Sequence, residues 1–256
     1  MNVLITNDGA VRVITLNRPN FRNALNPELM SELSDALAEA DTDERVRVVV
    51  IAGSSHTFCA GADLAVLDGL TVPDSLRADG FGRTLFGQLH RYRMPTIAAV
   101  TGPAYGGGCE LMLACDIAIG AESSRYALPE VGLGLIPGAG GTQRLIRAIG
   151  KSKAMQMLLG GEPIGAVEAH AAGLISEIVP DQQCLARAIA IGTRIAGNSP
   201  LAVQLAKDAA RAAFETPLSA GMDYERRNFY LAAQTHDMRE GLDAFRTKRT
   251  ASFTGT

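Results

Sequence analysis

No apolar run in the 256-residue chain approaches the ~18 residues that a membrane span needs, and the stretch LMLAC is stopped by Asp116. There is no basic block longer than two residues, and a net charge of −3 does not favour nucleic acid as a partner. The four cysteines, Cys59, Cys109, Cys115 and Cys184, form no CxxC pair and have no histidine at ligand spacing. They read as reduced, mostly buried thiols of a cytoplasmic protein. The four histidines, His56, His90, His170 and His236, are scattered, and HExxH is missing, so no metal site is expected. A GxSxG elbow and a GxxxxGK phosphate loop are also missing, and GLGLIP (132–137) lacks the third glycine of GxGxxG. The N-terminus leads into a strand-like VRVITL with no charged-then-apolar signal region before it. Fixed-period repeats, low-complexity tracts and an obvious flexible linker are absent as well.

What is present is an ordinary globular composition, 47% hydrophobic and 20% charged, long enough for one large domain or a domain with an appendage. VRVITL (11–16), VRVVVIAG (46–53), TIAAVTG (96–102), DIAIG (116–120) and LISEIV (174–179) read as strands. Asn26-Pro27 reads as an N-cap followed by a first-turn proline, and Leu29, Leu33 and Leu37 then mark one apolar helix face. Strands this apolar, alternating with helices, predict an α/β domain with the strands covered on both sides. From about Asp181 every segment has a helical pattern, with Pro200 and Pro217 where first-turn prolines belong. The expected division is a core over 1–196 and an all-helical region over 197–256, with Phe229, Tyr230 and Leu231 available to another surface.

The feature that calls for an explanation is GGGCE (106–110), opening an apolar segment that runs on as LMLACD. Each glycine in a regular element costs about 0.5–1 kcal/mol against alanine. The run is either a tight strand-to-helix turn with nothing bound, or a place where backbone approaches a ligand at a helix N-terminus, whose free N–H groups favour negative charge. Glu110 falls inside the apolar segment, and Glu130 lies between Pro129 and a second glycine-rich loop. Each is either a satisfied structural carboxylate or a working one. Twenty residues apart, they can meet only through tertiary folding.

TIAAVTGPAYGGGCELMLACDIAIGAESSRYALPEVGLGLIPGAGGTQRLIRAIG resembles the crotonase superfamily, the enoyl-CoA hydratases and isomerases. The likeness extends to LNRPNFRNALN (16–26), FCAGADL (58–64), AVEAHAAGLISEIV (166–179) and AFRTKR (244–249), in the family's order over nearly the whole chain. It implies a superhelix of β-β-α units followed by helices that build trimers, commonly paired into hexamers. It implies that the backbone N–H groups of Ala62 and Gly107 form an oxyanion hole. Glu110 is then the base that activates water, and Glu130 the acid that protonates the α-carbon. Arg22 would meet the phosphates of coenzyme A, with Ala24, Ala60, Asp63 and Leu64 along the pantetheine and adenine, and Lys248 reaching a neighbouring subunit's coenzyme. No cofactor is implied, since coenzyme A is part of the substrate.

Residues 65–93 fall where the family varies most, and Leu67, Leu70, Phe81, Leu85 and Phe86 are candidates for the acyl pocket as much as for ordinary core. Ala65 and Val66 stand where family hydratases often carry a lysine and an acidic residue, so no chain length is inferred. The expected activity is hydration of a 2-enoyl-CoA. A Δ3-Δ2 enoyl-CoA isomerase, which can work with the second glutamate alone, is the alternative within the family. A non-catalytic assembly or RNA-binding protein on the same scaffold is the alternative outside it.

Overall fold

The structure is a computed structural model that describes residues 1–68 and 85–256; Leu70 and Phe81 lie outside the described residues. Strand β1 (Val3–Asp8) turns at Gly9, where φ is +57°, into antiparallel β2 (Val11–Leu16). Strands β3 (Val48–Ala52), β4 (Thr96–Val100), β6 (Ile117–Ala121) and β9 (Glu177–Val179) add in parallel, giving the order β1-β2-β3-β4-β6-β9. The register aligns Val13 with Val50, Val50 with Ile97 and Ala98 with Ala118. A second, three-stranded sheet holds β5 (Pro103–Tyr105), β7 (Arg125–Ala127) and β8 (Ile164–Gly165) in the order β5-β7-β8.

The apolar strands are apolar because both faces are covered. Val48, Val50 and Ala52 of β3 face one way, onto Cys184 and Ala188 of helix Cys184–Ala196. Val49 and Ile51 face the other way, into the larger core with Leu29, Leu33 and Leu37 of helix Pro27–Thr42. This is period-two alternation carried by one continuous hydrophobic run. The expected start of that helix is confirmed: Asn26 accepts from Leu29 N at 3.0 Å and Pro27 occupies the first helical position. Three cysteines are buried and Cys115 is partly buried, all four with free thiols.

Helices Pro200–Ala212, Leu218–Ala232 and His236–Thr247 follow, and no strand comes after β9 among the described residues. Pro200 begins its helix, whereas Pro217 stands one residue before the next as its N-cap, with ψ at 152°. Helix Pro200–Ala212 is tied to the core through Lys207, whose ammonium meets Asp116 at 2.6 Å. Arg211 of the same helix donates to the carbonyls of Tyr92 and Leu89. Phe214, Leu218, Met222, Phe229, Tyr230 and Leu231 remain exposed. Among the described residues no helix is long and apolar enough to cross a membrane.

Candidate active site

Two parallel strands bring the glutamates together. Tyr105 at the end of β5 pairs with Ala127 at the end of β7, and Gly106 N then donates to Ala127 O at 2.9 Å. The chain leaves β5 into helix Gly107–Ala114, which carries Glu110, and leaves β7 into a single 3₁₀ turn, Glu130–Leu133. Both exits open at the same end of the sheet. A third segment joins them: Cys59 bridges Ala104, and Ala62 bridges Leu25.

The glycines allow this crowding. Gly106 has a φ of +50°, and a methyl group on it would lie 3.2 Å from Glu130 Oε1. One on Gly107 would lie 3.1 Å from Leu25 Cδ1 and 3.6 Å from Ala62 N. Gly108 serves packing, since a methyl there would strike the Cys59 carbonyl at 2.3 Å. Among the described residues, the amides of Ala62 and Gly107 donate to no protein acceptor. Gly107 opens a helix, so its N–H also points out with the positive end of the dipole.

The carboxylates differ in surroundings. Glu110 is 3% exposed, and its Oε1 accepts from Ala139 N and Gly141 N, both at 2.7 Å. Burial raises its pKa, while the two amides and the Arg144 guanidinium pull it back. Glu130 has only its own backbone amide to favour the anion, and its Oε2 is buried without a hydrogen-bond partner. Burial, aided by the charge of Glu110, pushes Glu130 up to about 7. One carboxylate thus sits among donors that suit an anion, and the other where a protonated acid is at ease. Among the described residues no cluster of His, Cys, Asp and Glu could hold a metal.

The remaining candidates are partly assembled. Residues 22–25 run beside 60–63: Ala60 N donates to Arg22 O at 3.0 Å, Leu25 N to Gly61 O at 2.7 Å, and Asp63 N to Leu25 O at 2.9 Å. Arg22 is exposed with φ +48°, and Leu64 is exposed. The Asp63 carboxylate is already held, by Arg18 at 3.1 Å and by Ala65 N at 3.2 Å, which caps the short helix Leu64–Leu67. Lys248 is exposed in a left-handed C-cap after the last helix, and within the chain its ammonium makes no ion pair among the described residues. Leu85 and Phe86 are buried in the main core beside Leu89, while Leu67 is only partly buried. Three residues went unnoticed in the sequence. Arg18 binds Asp63 and the Ala24 carbonyl. Asn23, fully buried at φ +56°, donates to the carbonyls of Thr57 and Phe58. Arg144 is the third. The first two lie within RPNFRNAL (18–25), and that stretch was the signal available for them.

The sequence profile of the family described as Enoyl-CoA hydratase/isomerase matches residues 6–256. The chain belongs to that family. A probable enoyl-CoA hydratase of Mycobacterium bovis is 46% identical over 252 residues, covering 98% of this chain and 97% of that protein. The 2,3-dehydroadipyl-CoA hydratase of Escherichia coli is 44% identical over 253 residues, covering 99% and 98%. The crystal structure of an enoyl-CoA hydratase from Bacillus anthracis superposes with a TM-score of 0.95 at 38% identity, covering all of both chains. The β-β-α core with its helical C-terminal region is therefore the crotonase-type fold.

Proposed function

We propose that the chain is an enoyl-CoA hydratase, a hydro-lyase that adds water across the 2,3 double bond of a 2-enoyl-CoA to give a 3-hydroxyacyl-CoA. The observation that carries this reading is the convergence of Glu110 and Glu130 beside the two undonated amides of Ala62 and Gly107. The thioester oxygen would lie between those amides, which stabilise the charge that develops as water attacks; one such donor is typically worth about 10²–10³ in rate. Glu110, held by two amides, takes a proton from water as its oxygen bonds to C3. Electrons move to the thioester oxygen, and Glu130 delivers its proton to C2 as the enolate collapses. Dissimilar surroundings of the two carboxyls support this division of roles.

Arg22, Ala24, Ala60, Asp63, Leu64 and a neighbouring subunit's Lys248 are proposed to hold coenzyme A, Asp63 by fixing the loop through Arg18 and Ala65. The exposed apolar side chains of the last three helices support assembly as a trimer, paired or not. Free, largely buried cysteines fit a cytoplasmic protein. Two glutamates argue against a pure Δ3-Δ2 isomerase, which needs one. The test is purified protein with 2-enoyl-CoA and 3-enoyl-CoA thioesters of several chain lengths, following the conjugated chromophore. Loss of absorbance with 2-enoyl-CoA is expected; gain from 3-enoyl-CoA without any hydration would replace the reading by isomerisation.

A further inference from the structure

Arg144 lies in the first turn of helix Gly141–Ile149, partly buried, where the positive end of the helix dipole disfavours a cation. Its Nη1 donates to the Ala139 carbonyl at 2.7 Å. The amides of Ala139 and Gly141 are the two that hold Glu110 Oε1. Guanidinium and carboxylate therefore bind the same turn, both of them through Ala139. Between them Gly140 has a φ of +106°, and a methyl group on it would fall 2.2 Å from Arg144 Nη1. That glycine is what lets the guanidinium lie against the turn.

We propose that Arg144 is a positioning residue for hydration, holding the Ala139–Gly141 turn where its amides fix the carboxylate of Glu110. This rests on the hydratase reading for its catalytic consequence. The position is electrostatically consistent. Burial raises Glu110, and its amide partners and then Arg144 oppose that rise; burial lowers Arg144, and Glu110 opposes that fall. Other groups face the pair: Glu130 from its 3₁₀ turn, Cys109 beside Glu110, Cys115 past the end of the catalytic helix, and Arg211 from helix Pro200–Ala212. Arg211 is itself paired with Asp116 at 3.3 Å, so its charge is already answered. A planar guanidinium fits this role better than an ammonium, because it can donate to a carbonyl and present its remaining charge in a fixed direction.

The test compares wild type, Arg144→Met and Arg144→Lys by kcat and KM across pH, and by ¹³C titration of the Glu110 carboxyl, assigned with Glu110→Gln. Arg144→Met should lower kcat roughly 10²-fold, the scale of a misplaced catalytic group, with KM nearly unchanged. Losing the cation raises Glu110, so the acid limb of kcat and the Glu110 titration should both move to higher pH. Arg144→Lys keeps the charge and should leave the limb near its wild-type position while kcat stays reduced. Activity that falls only with the amount of folded protein, with limb and titration unmoved, would overturn the proposal. Should Arg144→Met not fold, Arg144→Lys decides: lower kcat at unchanged KM supports the role, and wild-type kcat overturns it. A wild type that hydrates no 2-enoyl-CoA would instead sink the hydratase reading, while the Glu110 titration would still decide whether Arg144 acts on that carboxylate.

Discussion

Neighbouring glycines in one run do different things. A methyl on Gly108 meets the Cys59 carbonyl at 2.3 Å and Cys59 Cβ at 2.7 Å, contacts that backbone cannot yield. A methyl on Gly107 has its one tight contact with a leucine methyl, at 3.1 Å, and meets the backbone only at 3.6 Å and beyond. Gly108→Ala should therefore unfold at markedly lower temperature, whereas Gly107→Val should stay folded and lose turnover by crowding the thioester. Thermal melts beside hydration rates separate the two; full activity in Gly107→Val would reduce the run to a turn. Glu110→Gln and Glu130→Gln should each lower hydration by roughly 10²–10⁴, the usual worth of a positioned acid or base. Isomerisation of a 3-enoyl-CoA, if measurable, should survive Glu110→Gln better than hydration does; equal losses of both would remove the separate roles. Glu130 also sets a pH dependence. Its folded pKa of about 7 lies above its ordinary 4.5, so the native state binds the extra proton between those values. Stability is then favoured below pH ~4.5 and lost as pH rises through about 7. On the proposed mechanism Glu130 acts as a protonated acid, so hydration by the free enzyme should fall over the same upper limb. Glu130→Gln should raise the melting temperature at pH 8 more than at pH 4.5; the reverse order would refute the assignment.

Among the elements, helix Pro27–Thr42 shows how far local pattern reaches. Asn26, Pro27 and the leucines at four-residue spacing specify its start and its buried face, and Leu29, Leu33 and Leu37 are all fully buried. Asn26→Ala removes the acceptor for Leu29 N and should destabilise the fold by about 1 kcal/mol in urea unfolding. A value near zero would mean that tertiary packing alone holds that helix end. Strand β1 escaped notice because only Val3 is buried; an edge strand with one inward side chain shows no period-two pattern. Strands β5, β7 and β8 are two or three residues long, too short for any periodicity. Yet β5 and β7 decide where the glutamates go, because their parallel pairing sets both exits side by side.

For the molecule as a whole, helix Cys184–Ala196 completes the core and the following three helices present apolar side chains that are exposed among the described residues. Truncation after Ala196 removes Lys207 and Arg211 from Asp116 and should give aggregated or monomeric, inactive material by size-exclusion chromatography. A stable, active monomer from that truncation would refute the proposed assembly role. The sequence by itself determined the helices with strong periodicity, the covered parallel strands and, through motif order, the family. Such signals are local, since a helix face or a run of β-branched residues is written in consecutive positions. Tertiary structure alone decided that Glu110 meets the amides of Ala139 and Gly141 while Glu130 Oε2 is buried without a partner, and that Arg144 lies against the turn that holds Glu110. The bonds to Glu110 join residues about thirty positions apart, and all of these contacts run through backbone amides or carbonyls, which every residue carries alike, so no side-chain pattern could announce them.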